Sequence, residues 1–187
     1  MAAADRDKWN ARYRAAEHAG RAPHAWLASI AGELPRAGAA LDIAGGAGRH
    51  ASWLAARGLD VTLTDISEVA LAIAQGRARE DGLALDVIEL DLEIEPLPPG
   101  PFALVVCVSY LQRALFAAIA DSLAPGGMLA FVQPTVKNLE RHARPSRTFL
   151  LELGEAEAII RGAGLTIVVN DESWLDDAHE ARLLAKK

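Results

Sequence analysis

The chain has 187 residues, of which 51% are apolar and 24% are charged, and these values predict one globular domain and argue against disorder. The formal net charge of −6 argues against a nucleic-acid binder, because clustered Lys and Arg are needed to neutralise phosphate groups. The apolar runs are too short to span a bilayer, and the N-terminal residues turn polar too early for a signal peptide. The single Cys107 cannot form an intrachain disulfide, which fits a reducing cytoplasm.

Predicted strands and helices alternate along most of the chain. Two helical stretches, residues 5–19 and 23–34, come before the first strand. Strands at residues 40–43, 59–64, 85–90, 102–108 and 128–132 then alternate with helices at 51–57, 67–80 and 110–123. A helix over 154–161 and strands over 165–169 and 181–185 complete the pattern. Repeated strand–helix–strand units with short connections predict a parallel sheet with helices on both faces.

A glycine-rich segment joins the first predicted strand to the helix that follows it. It runs from Asp42 to His50 and contains Gly45, Gly46 and Gly48. Glycines let the backbone approach a ligand closely, and the start of a helix offers free N–H groups. Two roles are open for Asp42, which either accepts a hydrogen bond from a ligand amine or orients the loop.

Asp65 ends the second predicted strand, beside the crevice where a doubly wound sheet binds a nucleoside ribose. The loop and this acid together predict a nucleoside-containing cofactor. Residues 46–51 also match the dinucleotide pattern G-x-G-x-x-A, so the loop alone does not separate a nicotinamide or flavin enzyme from a methyltransferase. A tight turn without any ligand is a further interpretation.

Four segments in this order resemble the motifs of class I S-adenosylmethionine-dependent methyltransferases: residues 41–48, 64–67, 90–92 and 123–127. The resemblance implies S-adenosylmethionine as cofactor and methyl transfer to a small-molecule acceptor. It also implies a Rossmann-like, doubly wound, seven-stranded and mostly parallel sheet with an antiparallel last strand. Residues 1–187 then form one domain, in which residues 1–38 cover the cofactor site and 39–187 form the core. The alternatives are a nicotinamide- or flavin-dependent oxidoreductase and a non-catalytic S-adenosylmethionine-binding protein.

Residues 48–50, 65–67, 109–113 and 149–154 are similar to a subgroup, the tellurite-resistance-type small-molecule methyltransferases. That likeness implies an N-terminal aromatic pair over the cofactor's methionine end. Two positions depart from the family pattern, with Ala44 in place of the first glycine and Ala103 in place of an aspartate. The candidate cofactor residues are Trp9, Tyr13, Asp42, Ala44, Gly45, Gly46, Gly48, Arg49, Asp65, Ile66, Asp91, Leu92 and Val108. Arg49 either contacts the cofactor carboxylate or forms a salt bridge with an N-terminal acid.

Four residues are candidates for contact with the acceptor. Tyr110 follows the fourth strand and is either a wall of the acceptor site or a partly buried aromatic at a helix start. Arg113 either binds an anion or is a solvated helix residue. His142 and Arg144 lie in an irregular basic segment after the fifth strand, which is either a lid or a surface loop. Methyl transfer relies on alignment of the nucleophile, so no catalytic residue is assigned, and no metal-site spacing is present.

Overall fold

A computed structural model describes residues 2–15 and 20–187, and these residues form one seven-stranded sheet with helices on both faces. The helices are α1 (Ala2–Arg14), α2 (Ala25–Ser29), α3 (Arg49–Ala55), α4 (Glu68–Glu80), α5 (Leu115–Ser122) and α6 (Glu155–Gly162). The strands are β1 (Ala39–Ile43), β2 (Asp60–Asp65), β3 (Asp86–Glu89), β4 (Phe102–Val108), β5 (Leu123–Pro134), β6 (Thr166–Leu175) and β7 (Ala178–Lys186).

The strands are arranged in the order β3-β2-β1-β4-β5-β7-β6. The pairs from β3 to β5 are parallel, whereas β7 runs antiparallel to both β5 and β6. The Rossmann-like sheet with an antiparallel last strand is therefore confirmed. Because the central strands are parallel, β1, β2, β3, β4 and β5 all end at one edge of the sheet, and β7 begins there.

The alternating side chains of β4 build two apolar layers. Val105 and Cys107 face a cluster that also contains residues of α5 and α6. Leu104 and Val106 face the opposite cluster, where Trp26 of α2 packs with residues of α3 and α4. Both faces of β4 are covered, which explains its continuous apolar sequence.

Several element boundaries differ from the predictions. The helix expected over 110–123 begins only at Leu115, because the chain after β4 turns at Ser109, whose φ is 60°. The helix expected over 23–34 ends at Ser29 and is followed by turns, and Gly32 lowers the helix propensity there. The first helix ends at Arg14, and residues 16–19 of that prediction lie outside the described residues.

The last two strands are about twice as long as expected. They form a hairpin in which Leu175 pairs with Ala178. The sequence prediction missed the second half of β6 because residues 170–173 are polar. Polar residues are tolerated there because β6 is an edge strand. No helix in the described parts of the chain is long and apolar enough to cross a membrane.

Candidate cofactor site at the strand ends

The glycine loop turns sharply between β1 and α3. Ala44, Gly46 and Gly48 have φ of 50°, 58° and 76°, all in the left-handed region. Gly46 and Gly48 adopt this conformation at little energetic cost, whereas the Cβ of Ala44 makes it sterically unfavourable. The departure from the family's glycine at position 44 therefore places strain in the loop.

Asp42 lies beneath the loop and is completely buried. Its Oδ2 accepts a hydrogen bond from the Ala51 N–H at 3.1 Å, and a Cβ on Gly45 would collide with the same carboxylate. Burial raises the pKa of Asp42 to about 7. Of the two roles open for Asp42, these contacts favour orientation of the loop.

His50 accompanies Asp42 under the start of α3. Its Nδ1 lies 4.0 Å from Asp42 Oδ1. Burial lowers the pKa of His50 to about 3, with the Arg49 cation acting in the same direction. The imidazole is therefore neutral at neutral pH.

Asp65 ends β2 and is tied to the glycine loop. Its Oδ2 accepts from the Gly46 N–H at 2.9 Å, and its Oδ1 accepts from the Ser67 N–H at 2.8 Å. Burial raises the pKa of Asp65 above its ordinary value, and the N–H donors oppose that effect. Each carboxylate oxygen retains a further lone pair, so two ligand hydroxyls can still be accepted.

Asp91 follows β3 and is also buried. Its Oδ1 accepts from the Glu93 N–H at 3.0 Å, whereas Oδ2 has no hydrogen-bond partner among the described residues. A buried acceptor without a partner is costly unless a donor arrives from elsewhere. Leu92 and Val108 are buried apolar residues at the same edge, and Ile66 is half-buried.

Helix α1 lies over the glycine loop. A Cβ on Gly46 would collide with the Tyr13 hydroxyl, and burial together with the nearby Asp65 charge raises the pKa of Tyr13. The Trp9 ring lies 6.2 Å from the Tyr13 ring. Asn10, which sequence reasoning missed, accepts a hydrogen bond from Ser67 Oγ at 2.6 Å and anchors α1 beside Asp65.

Tyr110 follows β4 and is half-buried. Burial raises its pKa, and the charges of Asp91 and Asp65 contribute in the same direction. Its hydroxyl donates to Gln112 Oε1 at 2.8 Å. Tyr110 thus follows the end of β4, at the edge of the sheet where β2 and β3 also end.

The other three acceptor candidates are engaged elsewhere or exposed. Arg113 pairs with Glu155 of α6 at 2.5 and 3.0 Å. His142 Nε2 lies 2.8 Å from the Asp177 carbonyl oxygen, so the loop that contains His142 contacts the β6–β7 turn. Arg144 is exposed. Within the described parts of the chain, no hydrogen bond or ion pair joins any of them to the glycine loop.

A buried polar network, also missed from the sequence, lies where β7 begins. Arg182 is 2% exposed and pairs with Asp171 at 2.8 Å. Its Nη1 lies 3.6 Å from Glu180 Oε2, and His24 Nε2 lies 3.1 Å from the same oxygen. His24 and Glu180 are 156 positions apart, so no local pattern signals their contact. No metal-binding cluster of His, Cys, Asp or Glu occurs among the described residues.

The known proteins that this chain resembles in sequence include methyltransferases. Residues 40–127 match the methyltransferase domain family. A ubiquinone biosynthesis O-methyltransferase of Chromobacterium violaceum is 31% identical over 141 residues, covering 71% of this chain and 54% of that protein. The chain spans about half the length of the curated relatives it matches.

Solved structures share the fold at low sequence identity. A TehB-like S-adenosylmethionine-dependent methyltransferase from Corynebacterium glutamicum superposes with a TM-score of 0.71 at 19% identity, covering 98% of this chain and 99% of that chain. TehB from Haemophilus influenzae gives a TM-score of 0.76 at 17% identity, covering 94% and 66%. Residues 40–127 therefore match a methyltransferase domain, and nearly the whole chain shares the fold of solved S-adenosylmethionine-dependent methyltransferases.

Proposed function

We propose that this protein transfers the methyl group of S-adenosylmethionine to a small-molecule acceptor. The observation that carries the proposal is the convergence of the glycine loop, Asp65 and Asp91 at neighbouring strand ends, with helix α1 packed above them. The family match favours this function over a nicotinamide- or flavin-dependent oxidoreductase.

The residues fit the cofactor at the points where an adenosyl group needs partners. Asp65 is held by two backbone donors, which orient its carboxylate to accept both ribose hydroxyls. The unpartnered Oδ2 of Asp91 provides an acceptor for the adenine amine, next to the Leu92 N–H. Ile66 and Val108 supply apolar contacts at the same edge.

The methionine end of the cofactor has a separate set of partners. Arg49 makes no hydrogen bond or ion pair with another described residue, so its guanidinium is available for the cofactor carboxylate. The backbone from Ala44 to Gly48 offers close approach, and Tyr13 and Trp9 cover it from α1. This arrangement supports one domain in which residues 1–38 cover a site built by 39–187.

When bound, the cofactor supplies a methyl group activated by its sulfonium. A lone pair of the acceptor forms the new bond to the methyl carbon while the carbon–sulfur pair returns to sulfur, giving S-adenosylhomocysteine. An acceptor atom that carries a proton releases it to a base or to water. The chain's own contribution is to align the two reactants and to exclude water with α1.

Relatives named as O-methyltransferases support an oxygen acceptor, and the net charge of −6 supports a small molecule rather than a nucleic acid. Tyr110 follows β4 at the edge of the sheet where β2 and β3 also end, which supports it as a wall of the reaction site. Arg113, His142 and Arg144 have less support, because Arg113 and His142 bind other residues and Arg144 is exposed.

A thermal-shift comparison tests the proposal. A ligand that binds only the native state raises the unfolding temperature in proportion to the logarithm of its concentration over Kd. S-adenosylmethionine and S-adenosylhomocysteine should stabilise the protein, whereas NAD and FAD should not. Stabilisation by NAD alone would contradict the proposal.

A further inference from the structure

The Asn10 side chain lies beside the carboxylate of Asp65. Its Oδ1 accepts from Ser67 Oγ at 2.6 Å, and the Ser67 N–H donates to Asp65 Oδ1 at 2.8 Å. One turn along α1, the Tyr13 hydroxyl lies where it would collide with a Cβ on Gly46, whose N–H donates to Asp65 Oδ2. Residues three apart on a helix are neighbours on one face. The Asp65 carboxylate therefore lies beneath this face of α1, with Asn10 on one side and Tyr13 on the other.

The orientation of the Asn10 amide follows from its partners. Besides Ser67 Oγ, the amide faces the Val69 N–H at 3.4 Å. That N–H is a donor only, so the atom that faces it is Oδ1. Ser67 Oγ accepts from the Ala70 N–H at 3.1 Å and has one proton, which it gives to the same oxygen. Nδ2, which carries two N–H groups, is therefore turned away from the start of α4.

Nδ2 of Asn10 is an unused donor in a buried residue. Asn10 is 4% exposed, yet its Nδ2 makes no hydrogen bond with the residues that the structure describes. Nδ2 is also not among the unpartnered polar atoms that are cut off from solvent, so a ligand can reach it. An amide group this buried is stabilised when a ligand supplies an acceptor.

A ribose bound to Asp65 needs such a donor. Each ribose hydroxyl has one proton, and the proposed function directs both protons to the Asp65 carboxylate. The hydroxyl oxygens then remain as acceptors, and an unpaired acceptor in a buried site is unfavourable. The N–H groups of Gly46 and Ser67 are already bonded to Asp65. Asn10 Nδ2 is a neutral donor on the Ser67 side of the carboxylate and meets this need.

We propose that Asn10 is a cofactor-binding residue whose Nδ2 donates a hydrogen bond to a ribose hydroxyl oxygen held on Asp65. The inference rests on the proposed function, which places the ribose on Asp65. Because Oδ1 of the same side chain holds α1 to Ser67, this contact ties the position of α1 to the bound nucleoside. The site then selects ribose over deoxyribose with two side chains, one acid and one amide.

The test compares three ligands in calorimetric titration: S-adenosylhomocysteine and its 2′-deoxy and 3′-deoxy analogues. Asn10→Ala should weaken S-adenosylhomocysteine about fivefold, in line with the loss of one neutral hydrogen bond. Binding of the analogue that lacks the bonded hydroxyl should weaken by less than about twofold. A residue that only holds α1 in place would weaken all three ligands by the same factor. Asn10→Leu, which keeps the size of the side chain and has no donor, gives a second form of the same measurement.

Two further variants separate the roles of the two ends of the amide. Ser67→Ala removes the Oγ contact that anchors α1 and leaves Asn10 Nδ2 in place. It should weaken the three ligands by equal factors. Asn170→Ala, the same change at an exposed position on β6, should leave all three affinities unchanged.

The outcomes distinguish this inference from the proposed function. Failure of the wild-type protein to bind S-adenosylhomocysteine would overturn the proposed function. With that binding intact, a loss in the Asn10 variants that depends on one hydroxyl, and is absent from Ser67→Ala, supports the ribose contact. Equal losses for all three ligands, no loss for S-adenosylhomocysteine, or the same hydroxyl-dependent pattern in Ser67→Ala would overturn the ribose contact alone.

Discussion

Replacement of Gly46 by alanine should weaken cofactor binding for a reason that can be separated from backbone strain. Gly46 has φ of 58°, and its added Cβ would collide with the Tyr13 hydroxyl. Gly82 has a similar φ of 68° but no atom within 4 Å of an added Cβ. Strain alone costs about 1 kcal/mol for alanine in this conformation, so Gly82→Ala measures that part by itself.

The added Cβ must displace the half-buried Tyr13 side chain, so Gly46→Ala should lose about 1 kcal/mol more unfolding free energy than Gly82→Ala. Urea denaturation of both variants gives the difference, and calorimetric titration with S-adenosylhomocysteine gives the affinity. We expect at least about tenfold weaker binding in Gly46→Ala and unchanged binding in Gly82→Ala. Adding Tyr13→Phe should restore stability by removing the hydroxyl. Wild-type affinity in Gly46→Ala would refute the close approach of the cofactor to this loop.

Three further substitutions test the site and its supports. Asp65→Asn should weaken S-adenosylhomocysteine binding by about tenfold to a hundredfold in calorimetric titration, whereas Asp60→Asn at the exposed start of β2 should not; equal affinities would remove the ribose assignment. The lowered pKa of His50 means that the unfolded chain takes up a proton below pH 6.5 while the native state stays neutral, so stability falls as pH falls towards 3. Between pH 6.5 and 5, the unfolding free energy of His50→Gln should therefore fall by about 2 kcal/mol less than that of the wild type in denaturant titrations. Parallel plots of unfolding free energy against pH would contradict the buried neutral imidazole. Arg182→Met should cost about 3–5 kcal/mol of unfolding free energy because Glu180 stays buried beside it, and adding Glu180→Gln should recover part of that loss; strict additivity would exclude the coupling.

Much of the sheet was predictable, because each central strand has a local signal. The run 102–108 is continuously apolar where helices cover both faces, and the glycine loop marks the end of β1. Asp65 and Asp91 stand at strand ends, and parallel topology alone brings strand ends to one edge. The order of elements was sufficient to predict the place of Asp65, whereas Asp91 was assigned by the family resemblance.

The parts that could not be predicted depend on contacts between distant positions. Asn10 meets Ser67 only after α1 packs on α4. Arg182 lies in the predicted C-terminal strand without any local sign of burial, and the hairpin with β6 buries it beside Glu180. Arg113 appeared available for an anionic ligand, but the position of α6 gives it Glu155 instead. The charge of one residue in the sequence does not show which oppositely charged residue the fold places beside it.

A crystal structure with S-adenosylhomocysteine bound would test the central claim most directly. The account predicts both ribose hydroxyls on Asp65, the adenine amine at Asp91 Oδ2, and the cofactor carboxylate at Arg49. Binding of the nucleoside away from Asp65 would contradict the account.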